Sequence, residues 1–200
     1  MSYLTVSPDF NEPSCLVSPG SFSTRDWAHE DNQLKSKKPV IYYHIAGKLK
    51  ETRRSREDRI RRLSGMIFKE LKRVKLVPEI SGRPKHIFSI HQKMYSNHIP
   101  FETIHDVNGI RIILSQIQDC YLGLYAIHKL WKPVPGSFDD YISAPKKSGY
   151  QSLHTTVLCD NATPLEVQLR TPEMNFIAEY GTAAHWRYKS KKLHDFSGNS

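Results

Sequence analysis

The clearest hydrophobic pattern in the chain is a strict alternation of apolar and polar residues over 165–170. Alternation with a period of two predicts a β-strand that has one face in the core and one polar face. Along the polar face an acid, an amide and a guanidinium follow one another at about 7 Å, the spacing of every second residue in a strand. The apolar face is Leu165, Val167 and Leu169, and the polar face is Glu166, Gln168 and Arg170.

Apolar residues three and four positions apart predict helices elsewhere. One covers about 40–75, within a run of lysine and arginine, and ends before Pro78 because proline cannot continue a helix. A second covers 119–131, and a third begins at Ser89. The stripe of the first helix is Ile60, Leu63, Ile67, Leu71 and Val74, and that of the second is Tyr121, Leu124, Ile127, His128 and Trp131.

Short local signals add a strand, a turn and a further helix. The β-rich segment 110–114 predicts a buried strand, and Gly82 predicts a tight turn. Thr171, Pro172 and Glu173 predict a helix start, with a hydroxyl cap, a proline at the first position and an acid in the first turn. The apolar stripe of that helix is Met174, Ile177, Gly181, Ala184 and Tyr188.

Strands that alternate with helices predict an α/β or α+β fold in which helices flank a mixed β-sheet. Residues 1–39, rich in Ser, Pro, Asn and Asp, predict a poorly ordered arm. We expect one domain over 40–190, made of a long basic helix over 40–76 and a core over 77–190. Residues 191–200 should form a loose tail.

The charge balance is basic, with 29 Lys and Arg against 20 Asp and Glu and a net charge of +9. This favours an acidic ligand or partner, although a solvated basic surface would give the same composition. The three scattered cysteines argue against a disulfide scaffold or a zinc site. Without a membrane-spanning apolar run or a signal-peptide pattern, we expect a cytoplasmic protein with no membrane contact, or a stromal one if the source is eukaryotic.

Two groups of side chains suggest ligand binding. Lys146, Tyr150 and His154 add a cation, an aromatic ring and an imidazole to the polar strand face, a combination that suits a nucleotide; an exposed sheet face of mixed polarity is the alternative. The residues after Gly82 form a cationic patch that suits triphosphate oxygens, or simply a basic turn. It is not a Walker A loop, because the glycine spacing is absent. The patch is Arg83, Lys85, Ser89 and Lys93.

Several motifs between about 81 and 189 resemble the synthetase domain of the RelA/SpoT homologue family, in the family's order. They are G-R-P-K at 82–85, S-I-H-Q-K-M at 89–94, D-V-N-G-I-R at 106–111, D-Y-I at 140–142, P-K at 145–146, G-Y-Q-S-L-H-T at 149–155, E-V-Q-L-R-T at 166–171 and A-A-H-W-R-Y-K at 183–189. The resemblance implies a fold related to polymerase-β-like nucleotidyltransferases, with a five-stranded mixed sheet. It also implies transfer of the β,γ-pyrophosphate of ATP to the ribose 3′-hydroxyl of GDP or GTP, which gives (p)ppGpp and AMP.

The same resemblance implies roles for individual residues. Asp106 and Glu166 would hold Mg²⁺, and Glu166 would also take the proton of the 3′-hydroxyl. Tyr150 would stack on guanine, a role that Phe could also fill, and Asn175 would read the guanine edge. The implied ATP-side residues are Arg83, Lys85, Ser89, Lys93 and Arg111. The implied acceptor-side residues are Lys146, Tyr150, His154, Gln168 and Asn175.

Some positions depart from the family's pattern. Ser148 stands where long members often have Asn, and Ser begins the acidic segment 137–140 where synthetase-only members have Glu, which leaves the metal response and the choice between GDP and GTP open. The His-Asp pairs at 105–106 and 194–195 lack the other ligands of the family's manganese hydrolase site, so we expect no alarmone hydrolysis. We expect either a small synthetase or a fragment of a longer enzyme.

Two other functions stay open on the sequence. One is a catalytically inactive nucleotide- or RNA-binding module on the same fold, which would contact RNA or the ribosome through the basic helix over 48–75. The intact set of Asp106, Glu166 and Tyr150 disfavours it. The other is a different nucleotidyltransferase, which would need a Gly-Ser and an Asp-x-Asp pair that the chain lacks in that arrangement. An oligomeric assembly is compatible with the sequence.

Overall fold

The structure is a computed structural model that describes residues 4–5 and 27–181, in which helices and strands form an α+β fold. The α-helices described are α1 (Trp27–Lys37), α2 (Pro39–Leu49), α3 (Arg53–Arg73), α4 (Ile87–Asn97), α5 (Ile117–Leu130) and α6 (Pro172–Tyr180). The β-strands described are β1 (Leu4–Thr5), β2 (Glu79–Pro84), β3 (Asn108–Ile113), β4 (Lys132–Pro133), β5 (Asp139–Asp140), β6 (Leu153–Cys159) and β7 (Thr163–Arg170). Short 3₁₀ helices cover Phe101–Thr103 and Asp160–Ala162.

The described strands form one sheet in the order β1-β2-β3-β7-β6-β4, and β5 also pairs with β6. The sheet has seven strands in this part of the chain, where the resemblance implied five, and three of the seven (β1, β4 and β5) are only two residues long. Three pairings are antiparallel, and they place Leu4 opposite Gly82, Lys132 opposite Leu158 and Asp139 opposite His154.

The chain divides into two compact units. The first is made of Met1–Met66, Ile80–Ile110 and Pro164–Glu166, and the second of Ile67–Glu79, Arg111–Thr163 and Val167–Ser200. In the first unit α1, α2 and α4 pack around an apolar cluster. The buried members of that cluster are Leu34, Ile45, Ile87, Ile90, Ile104 and Val107.

Helix α1 corrects the expectation of a poorly ordered arm over 1–39, as far as residues 27–37 are concerned. Its sequence is polar, and among residues 29–37, whose side chains the structure describes, only Leu34 is buried, with 6% of its surface exposed. Tertiary packing of Leu34 and polar contacts therefore help to stabilise the helix, and local composition does not reveal them.

The expected long helix over 40–76 is two helices. Lys50 ends α2 in the left-handed conformation, with φ of 55°, and its N–H donates to the carbonyl of Gly47. The hydroxyl of Thr52 then accepts from the N–H of Ser55 and caps the start of α3. Along α3 the predicted apolar stripe is buried at Ile60, Leu63, Ile67 and Leu71.

Gly82 does not make the predicted turn, because it lies within strand β2. A Cβ at this position would lie 2.7 Å from Cγ2 of Ile60 and 3.0 Å from Cγ1 of Ile110. The glycine is therefore needed for the close approach of α3 and β3 to the backbone of β2.

Strand β7 confirms the predicted alternation, since Leu165, Val167 and Leu169 are fully buried while Glu166 and Gln168 are half-buried. Helix α5 buries a face that is rotated from the one predicted, although Ile127 is buried as predicted. Tyr121 and Leu122 are partly exposed, and the helix packs through Cys120, Gly123, Ala126 and Ile127. The reason is Gly123, whose missing side chain leaves room for Leu71, Leu114 and Leu169 against the helix backbone.

Helix α6 begins as predicted, with the Thr171 hydroxyl accepting from the N–H of Met174 and Pro172 in the first turn. The predicted continuation of its stripe to Ala184 and Tyr188, the motif at 183–189 and the tail at 191–200 lie outside the described residues. In the part of the chain that is described, no helix is long and apolar enough to cross a membrane.

Candidate functional site

In the first unit, two lysines converge on one carboxylate. Oδ2 of Asp106 lies 2.5 Å from Nζ of Lys85 and 2.9 Å from Nζ of Lys93. Asp106 comes just before β3, Lys85 just after β2, and Lys93 lies on α4 one turn after Ser89. Arg83, on β2, is half-buried like these residues. The structure thus brings the predicted ATP-side residues Lys85 and Lys93 together with Asp106, the predicted metal ligand.

The protonation of Asp106 reflects two opposing effects. Burial raises the pKa of its carboxyl group, but the ammonium groups of Lys85 and Lys93 lower it by more, so the net pKa lies below the ordinary value. The group is therefore an anion at neutral pH, and it keeps two cations close together. Both lysines keep part of their surface in solvent, so the phosphate groups of a ligand could bind the two ammonium groups in place of Asp106.

The second oxygen of Asp106 suits a cation. Oδ1 is buried and has no hydrogen-bond partner within the described residues. A second carboxylate oxygen, Oε2 of Glu166, would lie 3.9 Å from a Cβ added at Gly109, three residues after Asp106. The described residues hold no group of three or more His, Cys, Asp or Glu side chains that could bind a metal. Mg²⁺ needs only one or two carboxylates when substrate phosphates complete its coordination, so this pair fits.

In the second unit, Tyr150 is the centre of a polar and aromatic cluster. Its hydroxyl lies 2.5 Å from Nη2 of Arg170 and 2.7 Å from Nε2 of His154. Nζ of Lys146 lies 5.5 Å from the centroid of the Tyr150 ring and 4.0 Å from that of Tyr141. Gly149 has a φ of 76°, a conformation that favours glycine, and it turns the chain into Tyr150. The predicted residues 146, 150 and 154 therefore lie together.

Arg170 and Tyr141 belong to this cluster but had no predicted ligand role. Arg170 is 4% exposed and donates to neutral oxygens of Tyr150, Gln168 and Ser152. Burial lowers the pKa of this guanidinium, and the nearby Arg111 adds to that effect. Arginine stays charged nonetheless, so a desolvated cation lies beneath Tyr150. The alternating pattern identified Arg170 as a polar-face residue, but only the fold shows it beside Tyr150.

A third contact links residues that were assigned to different substrates. Nη1 of Arg111, predicted on the ATP side, lies 3.2 Å from Oδ1 of Asn175, predicted on the guanine side. Nη2 of Arg111 forms an ion pair with Glu179 at 2.9 Å. The amide oxygen of Asn175 is thus directed to Arg111, and its NH₂ group is the part that would face a ligand. The individual assignments of Arg111 and Asn175 remain predictions.

The acidic segment at 137–140 has a structural role in the turn before β6. Oδ1 of Asp140 accepts from the N–H groups of Ile142 and Ser143 at 3.0 and 2.9 Å, and Oδ2 accepts from the Tyr121 hydroxyl at 2.9 Å. The hydroxyl of Ser137 donates to the carbonyl of Val134 at 2.8 Å. These bonds account for Ser137 and Asp140 without a ligand.

Residues 82–193 match the family model described as "Region found in RelA / SpoT proteins", a range that contains every predicted site residue. The chain belongs to the RelA/SpoT family. It is 44% identical to the GTP pyrophosphokinase of Haemophilus influenzae over 167 residues, and this matched segment is 82% of this chain and 22% of that protein. The bifunctional (p)ppGpp synthase/hydrolase RelA of Mycobacterium tuberculosis is 42% identical over 166 residues, 83% of this chain and 22% of its own length. The chain thus spans about a fifth of these RelA/SpoT relatives.

Solved structures agree with this assignment. A GTP pyrophosphokinase family protein from Streptococcus pneumoniae has a TM-score of 0.55 at 26% identity, covering 68% of this chain and 74% of its own. Small alarmone synthetase 2 from Bacillus subtilis has a TM-score of 0.54 at 27% identity, covering 66% and 80%. They confirm the predicted α+β synthetase fold. A probable chloroplastic GTP diphosphokinase of Oryza sativa subsp. japonica is 53% identical over 110 residues, 55% of this chain and 16% of that protein.

Proposed function

We propose that this chain is a (p)ppGpp synthetase, which transfers the β,γ-pyrophosphate of ATP to the 3′-hydroxyl of GDP or GTP and releases AMP. The observation that carries the proposal is the convergence of Lys85 and Lys93 on Asp106 in the family-matched segment. Two ammonium groups fixed at one place form a preorganised site for the oxygens of a migrating pyrophosphoryl group. Relatives called GTP pyrophosphokinase, 43–44% identical over most of this chain, support the same reaction.

Most site residues of the first unit would act on the donor, and Glu166 is the exception. Lys85, Lys93 and Arg83 would bind the triphosphate, with Ser89 donating a hydrogen bond to it. Glu166 would accept the proton of the attacking 3′-hydroxyl. Mg²⁺ held by Asp106 and Glu166 would neutralise charge on the migrating group, a fit supported by Oδ1 of Asp106, which has no hydrogen-bond partner among the described residues.

The residues of the second unit would bind the acceptor. Tyr150 would stack on guanine, fixed in its orientation by Arg170 and His154. Lys146 would contact the acceptor phosphates, while Gln168, His154 and Asn175 would hold the ribose or the base edge. The desolvated charge of Arg170 would favour an anionic ligand nearby.

The test is a direct assay of purified protein with ATP, GDP and Mg²⁺, and separately with GTP. We expect AMP and the 3′-pyrophosphorylated acceptor in equal amounts, resolved by anion-exchange chromatography. ATP without an acceptor is the control and should give no AMP. Nucleotide binding without AMP release would instead favour the catalytically inactive module, and comparison of the two acceptors gives the preference that the sequence leaves open.

RNA contact through helix α3 is a second candidate, and the ion pairs on that helix count against it. Arg53, Arg61 and Arg73 pair with acids three or four residues away, and Arg59 pairs with Glu51. These pairs reduce the positive charge available to phosphates. Binding of single-stranded RNA that weakens steeply with salt would support the candidate. We propose that the enzyme works in the cytoplasm or, like the chloroplastic relative, in a plastid.

A further inference from the structure

Helix α4, which carries Ser89 and Lys93, is capped by a residue from far upstream. Oδ1 of Asp31 on α1 accepts from the N–H of Phe88 at 2.8 Å, which satisfies a free donor in the first turn of α4. The residue at the cap position, His86, makes no side-chain cap bond of its own. An aspartate 57 positions away thus takes the place of a local N-cap.

The other oxygen of Asp31 fixes His86. Oδ2 lies 3.0 Å from Nδ1 of this imidazole, which is only 3% exposed. Nη1 of Arg53 lies 2.8 Å from both ring nitrogens, Nδ1 and Nε2. Because a carboxylate only accepts, Nδ1 donates its hydrogen to Asp31, and Nε2 is then the ring nitrogen left to accept from the guanidinium of Arg53. Asp31, His86 and Arg53 therefore form one directed chain of hydrogen bonds.

Two further hydrogen bonds hold the backbone of Lys85, the residue before His86. The N–H of Lys85 donates to the carbonyl of Val107 at 2.8 Å, and its carbonyl accepts from Nη1 of Arg56 at 3.1 Å. Arg56 is itself buried, with 4% exposed. The backbone of Lys85 is thus fixed on both sides, while its side chain reaches Asp106.

We propose that Asp31 and His86 are positioning residues for the ATP side of the site. Helix α1 would then contribute to ATP binding through Asp31. The two residues set the direction of Lys85 and of the helix that carries Lys93, although neither touches the substrate. A displacement of about 1 Å in such groups can cost a large factor in affinity or rate. This inference rests on the proposed function for the identity of the ligand.

The experiment compares Asp31→Ala and His86→Ala with Asp31→Asn, which keeps an oxygen for the Phe88 N–H, and with Asn32→Ala, an exposed neighbour on the same helix. Affinity for α,β-methylene-ATP is measured by calorimetry, together with KM for ATP, KM for GDP and the melting temperature. We expect Asp31→Ala to weaken the analogue and raise the KM for ATP about tenfold, with the KM for GDP changed less than about twofold. Asp31→Asn keeps the cap on Phe88 but presents an NH₂ group to the Nδ1–H of His86, so it should recover only part of the loss, and Asn32→Ala should match the wild type.

A double variant, Asp31→Ala with His86→Ala, should be little worse than Asp31→Ala alone, since the two residues act as one unit. A lower melting temperature with unchanged ATP affinity, or equal losses for ATP and GDP, would overturn the inference. If the wild type binds the analogue but makes no product, the proposed function fails while the affinity series still decides the role of Asp31. A wild type that does not bind the analogue overturns both.

Discussion

The hydroxyl of Tyr150 lies 2.5 Å from Nη2 of Arg170, and Cζ of the same guanidinium lies 5.0 Å from the ring centroid. Tyr150 is therefore held through its hydroxyl and its ring face at once. A ring fixed in this way loses little freedom when a base stacks on it, which favours binding. The sequence predicted a stacking role for the aromatic ring at this position, but it did not indicate that the hydroxyl bonds to Arg170.

Tyr150→Phe should therefore be harmful, in contrast to the mild effect expected from the sequence. Arg170 is buried, and the loss of one of its acceptors should cost about 1–3 kcal/mol of unfolding free energy. We expect a melting temperature several degrees lower and an acceptor KM about three- to tenfold higher. Tyr150→Ala also loses stacking, worth about 1–3 kcal/mol per base, so its acceptor KM should rise roughly ten- to a hundredfold.

Tyr141→Phe is the control for these two variants. The Tyr141 ring lies in the same cluster, 6.1 Å from that of Tyr150, but its hydroxyl has no side-chain hydrogen bond among the residues described. It should melt within about a degree of the wild type. If Tyr150→Phe has the same melting temperature and acceptor KM as Tyr141→Phe, the Tyr150 hydroxyl contributes neither to stability nor to acceptor binding.

Glu166→Gln should abolish synthesis and leave nucleotide binding nearly intact. The side chain is half-buried on the polar face of β7 and keeps its shape as an amide, but it can no longer take a proton. We expect a loss of at least about a thousandfold in kcat, measured as AMP release, with analogue affinity within about threefold. Glu173→Gln, an exposed acid in the first turn of α6, is the matched control. Activity within a few-fold of the wild type would show that Glu166 is not the base.

Asp106→Asn should show a pH-dependent loss of stability. The pKa of Asp106 is lower in the folded protein than its ordinary value of 3.8, so its charge stabilises the fold above that pH. This contribution is lost as the pH falls from 3.8, the ordinary pKa, through the lower pKa that Asp106 has in the folded protein. Urea unfolding at pH 7 should give a variant less stable by about 1–3 kcal/mol, because two charged hydrogen bonds are lost. The difference in unfolding free energy between the wild type and the variant should become smaller toward pH 3. An equal difference at pH 7 and pH 3 would contradict the role of the Asp106 charge.

Gly82→Ala should destabilise the protein, because a Cβ would lie 2.7 Å from Ile60. Both Ile60 and Ile110 are buried and cannot move freely, so we expect a loss of about 1–3 kcal/mol in chemical denaturation. Gly65→Ala is the matched control within helix α3, since nothing lies within 4 Å of its added Cβ. It should stabilise the protein by up to about 1 kcal/mol. Equal effects of the two substitutions would refute the packing role of Gly82.

The sequence by itself determined the elements whose signals are local. The alternation at 165–170 gave strand β7, and the Thr171-Pro172 pair gave the start of α6, because each signal depends on residues within one strand or one helical turn. The motifs from 82 to 171 determined the family and collected residues such as Lys85 and Asp106 into one set of candidates. Family motifs hold this information because they are segments of a shared site, although they say nothing about which residues touch.

Only the tertiary structure decided what depends on contacts between distant residues. The close packing at Gly82, the buried face of α5 and the contact of Arg111 with Asn175 each involve side chains tens of residues apart. Helix α1 is the clearest case, since its polar sequence carries no strong local signal and Asp31 finds its partners 55 and 57 positions away. A hydrogen bond or a packed side chain of this kind forms only when the rest of the chain has folded, so no pattern of neighbouring residues records it.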